Sequence, residues 1–354
     1  MTAMDDKEHA VTEPLRPIEW TGSGLRVIDQ TALPGRLIHV DLSTVDAVVD
    51  AIVRLAVRGA PQLGAVGAIG VVIAMDQGAR EGWDDARLQA EIDRVRNARP
   101  TAVNLMWGVD KVRPLVAQGR AAVLAAALEL IAEDERINRT MAKLGADWIQ
   151  ARVPGRVRIL THCNTGALAT TAWGTAFGVI RELHDRGALE VVYVDETRPL
   201  LQGARLTAYE LAHDGIPYFV QADGAAAGTI LRGLVDVAII GADRIAANGD
   251  TANKVGSVGV ALACQEAGIP FMVAAPESTI DMATPDGDAI HIEMRGDDEV
   301  VNWAGVRTAP EGARAHNPAF DVTPARMIAA LVTETCVMEV RMGETPGSRL
   351  VAPR

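Results

Sequence analysis

The chain has 354 residues, nearly half of them apolar, and 33 glycines spread along its length. That is a globular composition, long enough for two domains rather than one. Acidic residues outnumber basic ones 46 to 34, so charge offers no footprint for nucleic acid.

Cys163, Cys264 and Cys336 lie far apart and form no C-x-x-C pair. Neither a disulfide framework nor a zinc site is expected, and a reducing cytoplasm suits them. Residues 1–17 are polar and mixed in charge, a flexible tail without the basic-then-apolar order of a signal peptide. No apolar run reaches the roughly 18 residues of a membrane span. The expectation is a cytoplasmic protein with no membrane or nucleic-acid partner.

Along the chain, Leu25–Asp29 and Arg36–Val40 alternate around Leu33-Pro34-Gly35 and read as a small antiparallel hairpin or meander. Ser43-Thr44 caps a helix whose apolar positions run from Val45 to Ala56, with its C-terminal cap at Gly59. Pro61 opens the next helix, Gln62 to about Met75, where Gly64, Gly67 and Gly70 suit close packing and do not spell a dinucleotide fingerprint. Further helices follow over Asp84–Ala98, Ala102–Ala117 and Ala121–Gln150. Residues 18–152 therefore read as a small, mostly helical N-terminal domain with short strands.

From residue 153 the pattern changes. Apolar strands at Val157–Leu160, Val191–Val194, Tyr218–Val220, Val235–Ile240 and Phe271–Ala274 alternate with helical or glycine-rich stretches at Ala167–Arg186, Ala204–Asp214, Ala225–Gly233 and Val255–Gly268. Alternation of this kind indicates an α/β domain, residues 153–354, with a Rossmann-like parallel sheet. A last helix is expected over Pro324–Cys336.

Ligands in such sheets bind where loops leave the strand carboxyl ends. Four of those loops are polar: Thr161–Gly166, Asp195–Arg205, Gly241–Lys254 and Pro276–Asp281. Cys163 follows a strand and precedes a helix pattern, which would lower its pKa, unless an apolar pocket raises it. Asp243 leaves the driest strand, where burial favours a protonated acid, with pairing to Arg244 or Lys254 as the structural alternative. Arg58 beside a helix start is a candidate phosphate clamp, and Arg99 repeats that pattern. His162 reads as structural, because adjacent strand residues face opposite ways. Cys264 and Cys336 fall in helical patterns as buried small groups. No histidine spacing suggests a metal site.

The motifs Arg58-Gly59-Ala60-Pro61, Arg99-Pro100-Thr101-Ala102-Val103-Asn104, Thr161-His162-Cys163-Asn164, Asp195-Glu196-Thr197-Arg198-Pro199 with Gln202-Gly203-Ala204-Arg205, Gly241-Ala242-Asp243-Arg244, Asn253-Lys254 and Asn317-Pro318-Ala319-Phe320-Asp321 occur in that order. Together they resemble the methylthioribose-1-phosphate isomerases of methionine salvage, over about residues 18–340. A wider superfamily includes ribose-1,5-bisphosphate isomerases and regulatory subunits of the eukaryotic initiation-factor exchange complex.

The resemblance implies conversion of 5-methylthio-ribose 1-phosphate, an aldose, to 5-methylthio-ribulose 1-phosphate, a ketose. It implies Asp243 as proton donor and Cys163 as stabiliser or partner acid–base group. Arg58, Gly59, Ala60, Arg99, Gln202, Asn253 and Lys254 would hold the sugar phosphate. No metal or organic cofactor is implied, and a homodimer is. The segment Glu293-Met294-Arg295-Gly296 departs from the family pattern, which has a further acid and an Arg-Asp pair, and is placed outside the chemistry. The alternatives are an isomerase of 5-deoxyribose 1-phosphate or ribose 1,5-bisphosphate, and a non-catalytic sugar-phosphate- or nucleotide-binding subunit.

Overall fold

The computed structural model describes residues 15–99 and 103–349. Its first strands, β1 (Ile18–Trp20), β2 (Leu25–Ile28) and β3 (His39–Leu42), pair antiparallel as the expected meander. Thr44 caps α1 (Val45–Val53) by accepting from the Ala47 amide at 3.2 Å. That helix ends several residues before the expected stop at Gly59. Leu55 takes a left-handed φ of 63°, and the chain leaves the helix axis to bury Ala56 and Val57 in the same core.

Gly59 instead begins α2 (Ala60–Glu81), with Pro61 in its first turn. At 22 residues α2 is long and apolar enough to cross a bilayer, yet 78% of its apolar 18-residue window is buried inside the protein. It is a core helix, flanked by α3 (Asp85–Arg96) and α4 (Val103–Val112). Contact with α4 is close enough that a Cβ on Gly108 would fall 2.0 Å from the Gly64 carbonyl oxygen. The long α5 (Arg120–Gln150) contributes Val123 and Ala127 to this first core, and Met141, Ala146 and Ile149 to the next.

Beyond α5 come β4 (Val157–Thr161), α6 (Ala176–Asp185), β5 (Leu189–Asp195), α7 (Ala208–His213), β6 (Tyr218–Gln221), α8 (Ala226–Leu231) and β7 (Val237–Ile240). Then follow β8 (Arg244–Ala246), β9 (Thr251–Lys254), α9 (Ser257–Ala267), β10 (Phe271–Ala274) and β11 (Ile280–Asp281). The last strands are β12 (Asn302–Trp303), β13 (Val306–Arg307), β14 (Phe320–Thr323), β15 (Ala330–Val332) and β16 (Val337–Met338).

Seven strands form one sheet in the order β16-β15-β10-β7-β4-β5-β6, parallel throughout except at the β15–β16 edge. Alternate residues feed two cores: Ile159 and Ile239 face α5 and α6, while Leu160 and Ile240 face α8 and α9. Both faces are covered, which is why the central strands read as unbroken apolar runs. The fold is mixed α/β. A smaller sheet, β11-β8-β9-β14, stands at the carboxyl end of β7.

Two expectations fail. Ala167–Arg186 is not one helix: a single tight turn, Ala167–Ala169, is followed by loop until α6 begins at Ala176. Pro324–Cys336 is not a helix either. A tight turn, Ala325–Met327, leads into β15, which pairs parallel with β10. Ile328 to Val332 are all buried, and a short apolar run of that kind cannot be assigned by periodicity. Cys336 accordingly lies at the β15–β16 connection, whereas Cys264 is inside α9 as expected, its thiol pushed up to about 12 by burial.

Candidate active site

The carboxyl ends of β4, β5 and β7 meet the start of α2 around a cavity of about 630 Å³. Arg58, Gly59, Ala60, Arg99, Cys163, Gln202, Asp243, Asn253 and Lys254 all line it. Residues nearly 200 positions apart are therefore brought to one space by the strand order and by the docking of α2.

That docking is tight. Gly59 has a φ of 93°, and a Cβ there would lie 2.3 Å from the Ala169 carbonyl oxygen and 2.6 Å from the Ala169 Cα. Only glycine fits. Gln30 ties the same contact by donating to the Leu168 carbonyl at 2.7 Å. Arg205 crosses from the other side, donating to the Gln30 carbonyl at 2.7 Å and the Leu33 carbonyl at 3.2 Å.

Arg58 donates to the Gln30 Oε1 at 3.1 Å and to the Asn164 Oδ1. The Asn164 amide is oriented in turn by donating to the buried Glu210 carboxylate at 2.7 Å. Lys254 donates to the Ala319 carbonyl at 2.8 Å and lies 4.3 Å over the Phe320 ring. None of these partners is an acid. Arg99 forms no hydrogen bond or ion pair with the described residues; Pro100, Thr101 and Ala102 of its motif lie outside them. The cavity thus holds uncompensated positive charge from Arg58, Arg99, Arg205 and Lys254, suited to a phosphate dianion.

Asp243 and Cys163 face this charge, with Glu293 as a further acid of the lining. The Asp243 side chain is open to the cavity, while protein packed around the cavity walls desolvates it. That burial raises its pKa, against the pull of Lys254, Arg58 and Arg99. The alternative pairing is not seen: Arg244 faces Asp281 at 3.5 Å, and Lys254 is engaged as above. Cys163 is buried, and burial likewise pushes its thiol up despite Arg58 and Lys254. No helix begins at Cys163, so the lowered pKa considered for it does not arise. Its backbone is strained instead, with φ 66°, and is held by Thr197, which accepts the Cys163 N–H at 2.8 Å, and by Thr207, which donates to its carbonyl at 2.6 Å.

Gln202 is buried just before a π-helical turn, Gly203–Thr207, and its Oε1 has no partner among the described residues. An orphaned acceptor aimed at a cavity is a place for a ligand hydroxyl. Asn253 is buried and donates to the Ser257 hydroxyl at 3.0 Å.

The initiation factor 2 subunit family matches residues 56–340. A methylthioribose-1-phosphate isomerase from Anaeromyxobacter is 46% identical over 97% of this chain and 99% of its own length. The chain belongs to the methylthioribose-1-phosphate isomerase family. A probable bifunctional methylthioribose-1-phosphate isomerase/methylthioribulose-1-phosphate dehydratase from Nocardia farcinica is 51% identical over 96% of this chain, which spans 62% of that relative's length. Among solved structures, the 5-methylthioribose 1-phosphate isomerase of Pyrococcus horikoshii aligns with a TM-score of 0.86 and 36% identity over 98% of each chain. A translation initiation factor eIF-2B delta subunit from A. fulgidus aligns with a TM-score of 0.83 and 38% identity, over 92% of this chain and 96% of its own.

One family-pattern departure needs correction. Glu293 and Arg295 are not remote from the site; both line the cavity, with Arg295 paired to Glu293 at 3.1 Å and to Glu299. Sequence reasoning also missed Gln30, Asn164 and Glu210 as the support of Arg58. Asn164 was visible beside Cys163, but Gln30 and Glu210 carry no local signal, since only the fold brings them there.

Proposed function

We propose that this protein is an aldose–ketose isomerase converting 5-methylthio-ribose 1-phosphate to 5-methylthio-ribulose 1-phosphate. The observation that carries the reading is two acids with raised pKa values, Asp243 and Cys163, facing a cavity that also presents Arg58, Arg99, Arg205 and Lys254, none of them in an ion pair with a described residue.

A phosphate on C1 locks the sugar as a ring, so a free aldehyde cannot form by ordinary opening. The ring oxygen has to take a proton as its bond to C1 breaks, C1 has to gain the hydrogen that C2 gives up, and the C2 hydroxyl has to lose its proton to become the carbonyl. Asp243, protonated, is the donor to the ring oxygen. Cys163, a neutral thiol, stabilises or relays the proton at C2. Arg58 with the Gly59 and Ala60 amides, Arg99 and Lys254 hold the phosphate. Gln202 and Asn253 hold the hydroxyls. The reaction balances without an external oxidant or reductant.

The architectural reading that goes with it is a small helical unit, residues 18–152, docked on a Rossmann-like catalytic unit, residues 153–354. It is supported by two large apolar cores joined through α5, with a small cluster of Ile28, Leu33, Leu168 and Leu206 where the units meet. A cytoplasmic homodimer completes the proposal. Likeness to an initiation-factor subunit favours one alternative, a binding subunit without turnover.

Incubation with methylthioribose 1-phosphate, followed by NMR, tests the reading. Ketose should form, and faster than from ribose 1,5-bisphosphate. Absence of product from folded protein would leave the binding-subunit reading in its place.

A further inference from the structure

One buried imidazole beside Cys163 has no part in the chemistry above. His162 leaves β4 one residue before Cys163, is 1% exposed, and does not line the cavity. Its Nδ1 lies 3.0 Å from the Asp195 Oδ2 at the end of β5, and its Nε2 lies 2.9 Å from the Val255 carbonyl, one residue past Lys254. Both neighbours are acceptors. Burial pushes the Asp195 pKa up, while His162 and Gln221, which donates to its Oδ1 at 2.9 Å, favour the carboxylate. With Asp195 ionised, each ring nitrogen must carry a hydrogen to satisfy both acceptors, and the ring is then an imidazolium.

The surroundings favour that charge. Asp223 joins His162 and Asp195 in a group whose ligand atoms lie within 4.8 Å of one another. A proton on Nδ1 occupies the position a cation would take there. From β14, Asp321 accepts the Gly256 N–H at 2.7 Å. Gly256 packs so closely on the ring that a Cβ there would sit 2.7 Å from the His162 Cε1. Three carboxylates from three segments, Asp195, Asp223 and Asp321, thus flank one imidazole. Burial by itself disfavours the imidazolium, but the Asp195 hydrogen bond and charge, with Asp223 and the Val255 carbonyl, outweigh it and hold the pKa above its ordinary value.

The same ring joins the loops that carry the chemistry. Asp195 leads to Thr197, whose hydroxyl takes the Cys163 N–H at 2.8 Å. Val255 adjoins Asn253 and Lys254. We propose that His162 is a positioning residue, an imidazolium clamped between Asp195 and the Val255 carbonyl that fixes the Cys163 thiol relative to Lys254. The proposal rests on the isomerase reading. It goes beyond it by giving a fixed charge state and a task to a group outside the cavity.

The test joins a spectroscopic and a kinetic measurement on the full chain. In histidine-labelled wild type, one imidazole should keep both ring nitrogens protonated above the pH, near about 6.5, at which ordinary histidines lose a proton. This arm needs no variant. His162→Gln should remove that signal and lower kcat by about 30- to 100-fold per folded molecule, the scale of a small misplacement of a reacting group. KM should change less than kcat, because Arg58 is held by Gln30 and Asn164, and Lys254 by the Ala319 carbonyl, none of them a hydrogen-bond partner of His162. Asp195→Asn keeps the shape of the acceptor but should make His162 neutral, with an intermediate loss of kcat. A neutral His162 in active wild type, or kcat within about threefold of wild type in both folded variants, overturns the proposal. Absence of turnover in wild type would instead remove the isomerase reading, a separate result.

Discussion

Replacing Gly59 by alanine isolates how tightly α2 must dock to build the cavity. Two penalties apply. The first is the left-handed φ of 93°, at about 1 kcal/mol for a residue with a Cβ. The second is steric: the Cβ would lie 2.3 Å from the Ala169 carbonyl oxygen and 2.6 Å from its Cα. Those are backbone atoms, which cannot swing aside, and overpacking of this kind costs about 1–3 kcal/mol. Gly187 supplies the control, because it has a φ of 68° with nothing within 4 Å of its would-be Cβ.

Gly187→Ala should therefore cost about 1 kcal/mol and Gly59→Ala about 2–4 kcal/mol. With about 2.1 cal/mol/K per residue over 354 residues, 3 kcal/mol lowers Tm by about 4 °C. Calorimetry and denaturant titration of the two variants measure the difference. Relief of the clash moves Arg58 and the α2 amides away from the cavity, so KM for the sugar phosphate should rise in Gly59→Ala alone. Equal destabilisation of the two variants, or an unchanged KM at position 59, would refute the close-docking argument.

Removing the thiol by Cys163→Ala, or the acid by Asp243→Asn, should each cut turnover by about 10²- to 10⁴-fold while the protein stays folded; near-wild-type kinetics in either would displace the chemical centre. Arg58→Ala removes charge-assisted bonds to phosphate worth about 1.5–3 kcal/mol, so substrate affinity should fall about 10- to 150-fold, read by calorimetric titration. Asp243 has a raised folded pKa, so the native state binds more protons than the unfolded chain. Stability should fall as pH rises from about 3.9 through that folded value, and Asp243→Asn should flatten this slope in pH-dependent denaturation. Activity should show an alkaline limb for the same reason. Burial raises the pKa values of both Asp243 and Cys163, which disfavours an ionised base from either group at C2 and favours direct hydride transfer. Turnover in deuterium oxide should then leave C1 unlabelled, and deuterium there would point to an enediolate.

Some of this was legible because it is local. The strands β4, β5, β7 and β10 announce themselves as unbroken apolar runs, since both sheet faces are covered. The loops after them are polar because they leave the sheet on one edge, and motif resemblance then named Cys163, Asp243 and Arg58 individually. What failed was also local in cause. Apolar residues 328–332 read as part of a helix until pairing with β10 made them a strand, and the helix pattern after Cys163 was broken by a loop that Glu210 and Thr207 stabilise from elsewhere.

The sequence by itself therefore determined which polar residues stand at the strand ends and which segments are core, because residue type and apolar period are properties of the chain. Tertiary structure alone decided the electrostatics. Whether Arg58 meets an acid or an amide, whether Cys163 sits at a helix end or in a desolvated pocket, and whether His162 is neutral or charged depend on which distant groups come within a few ångströms. Desolvation and Coulomb energies vary with that distance and with the surrounding medium, and neither is written in the order of residues.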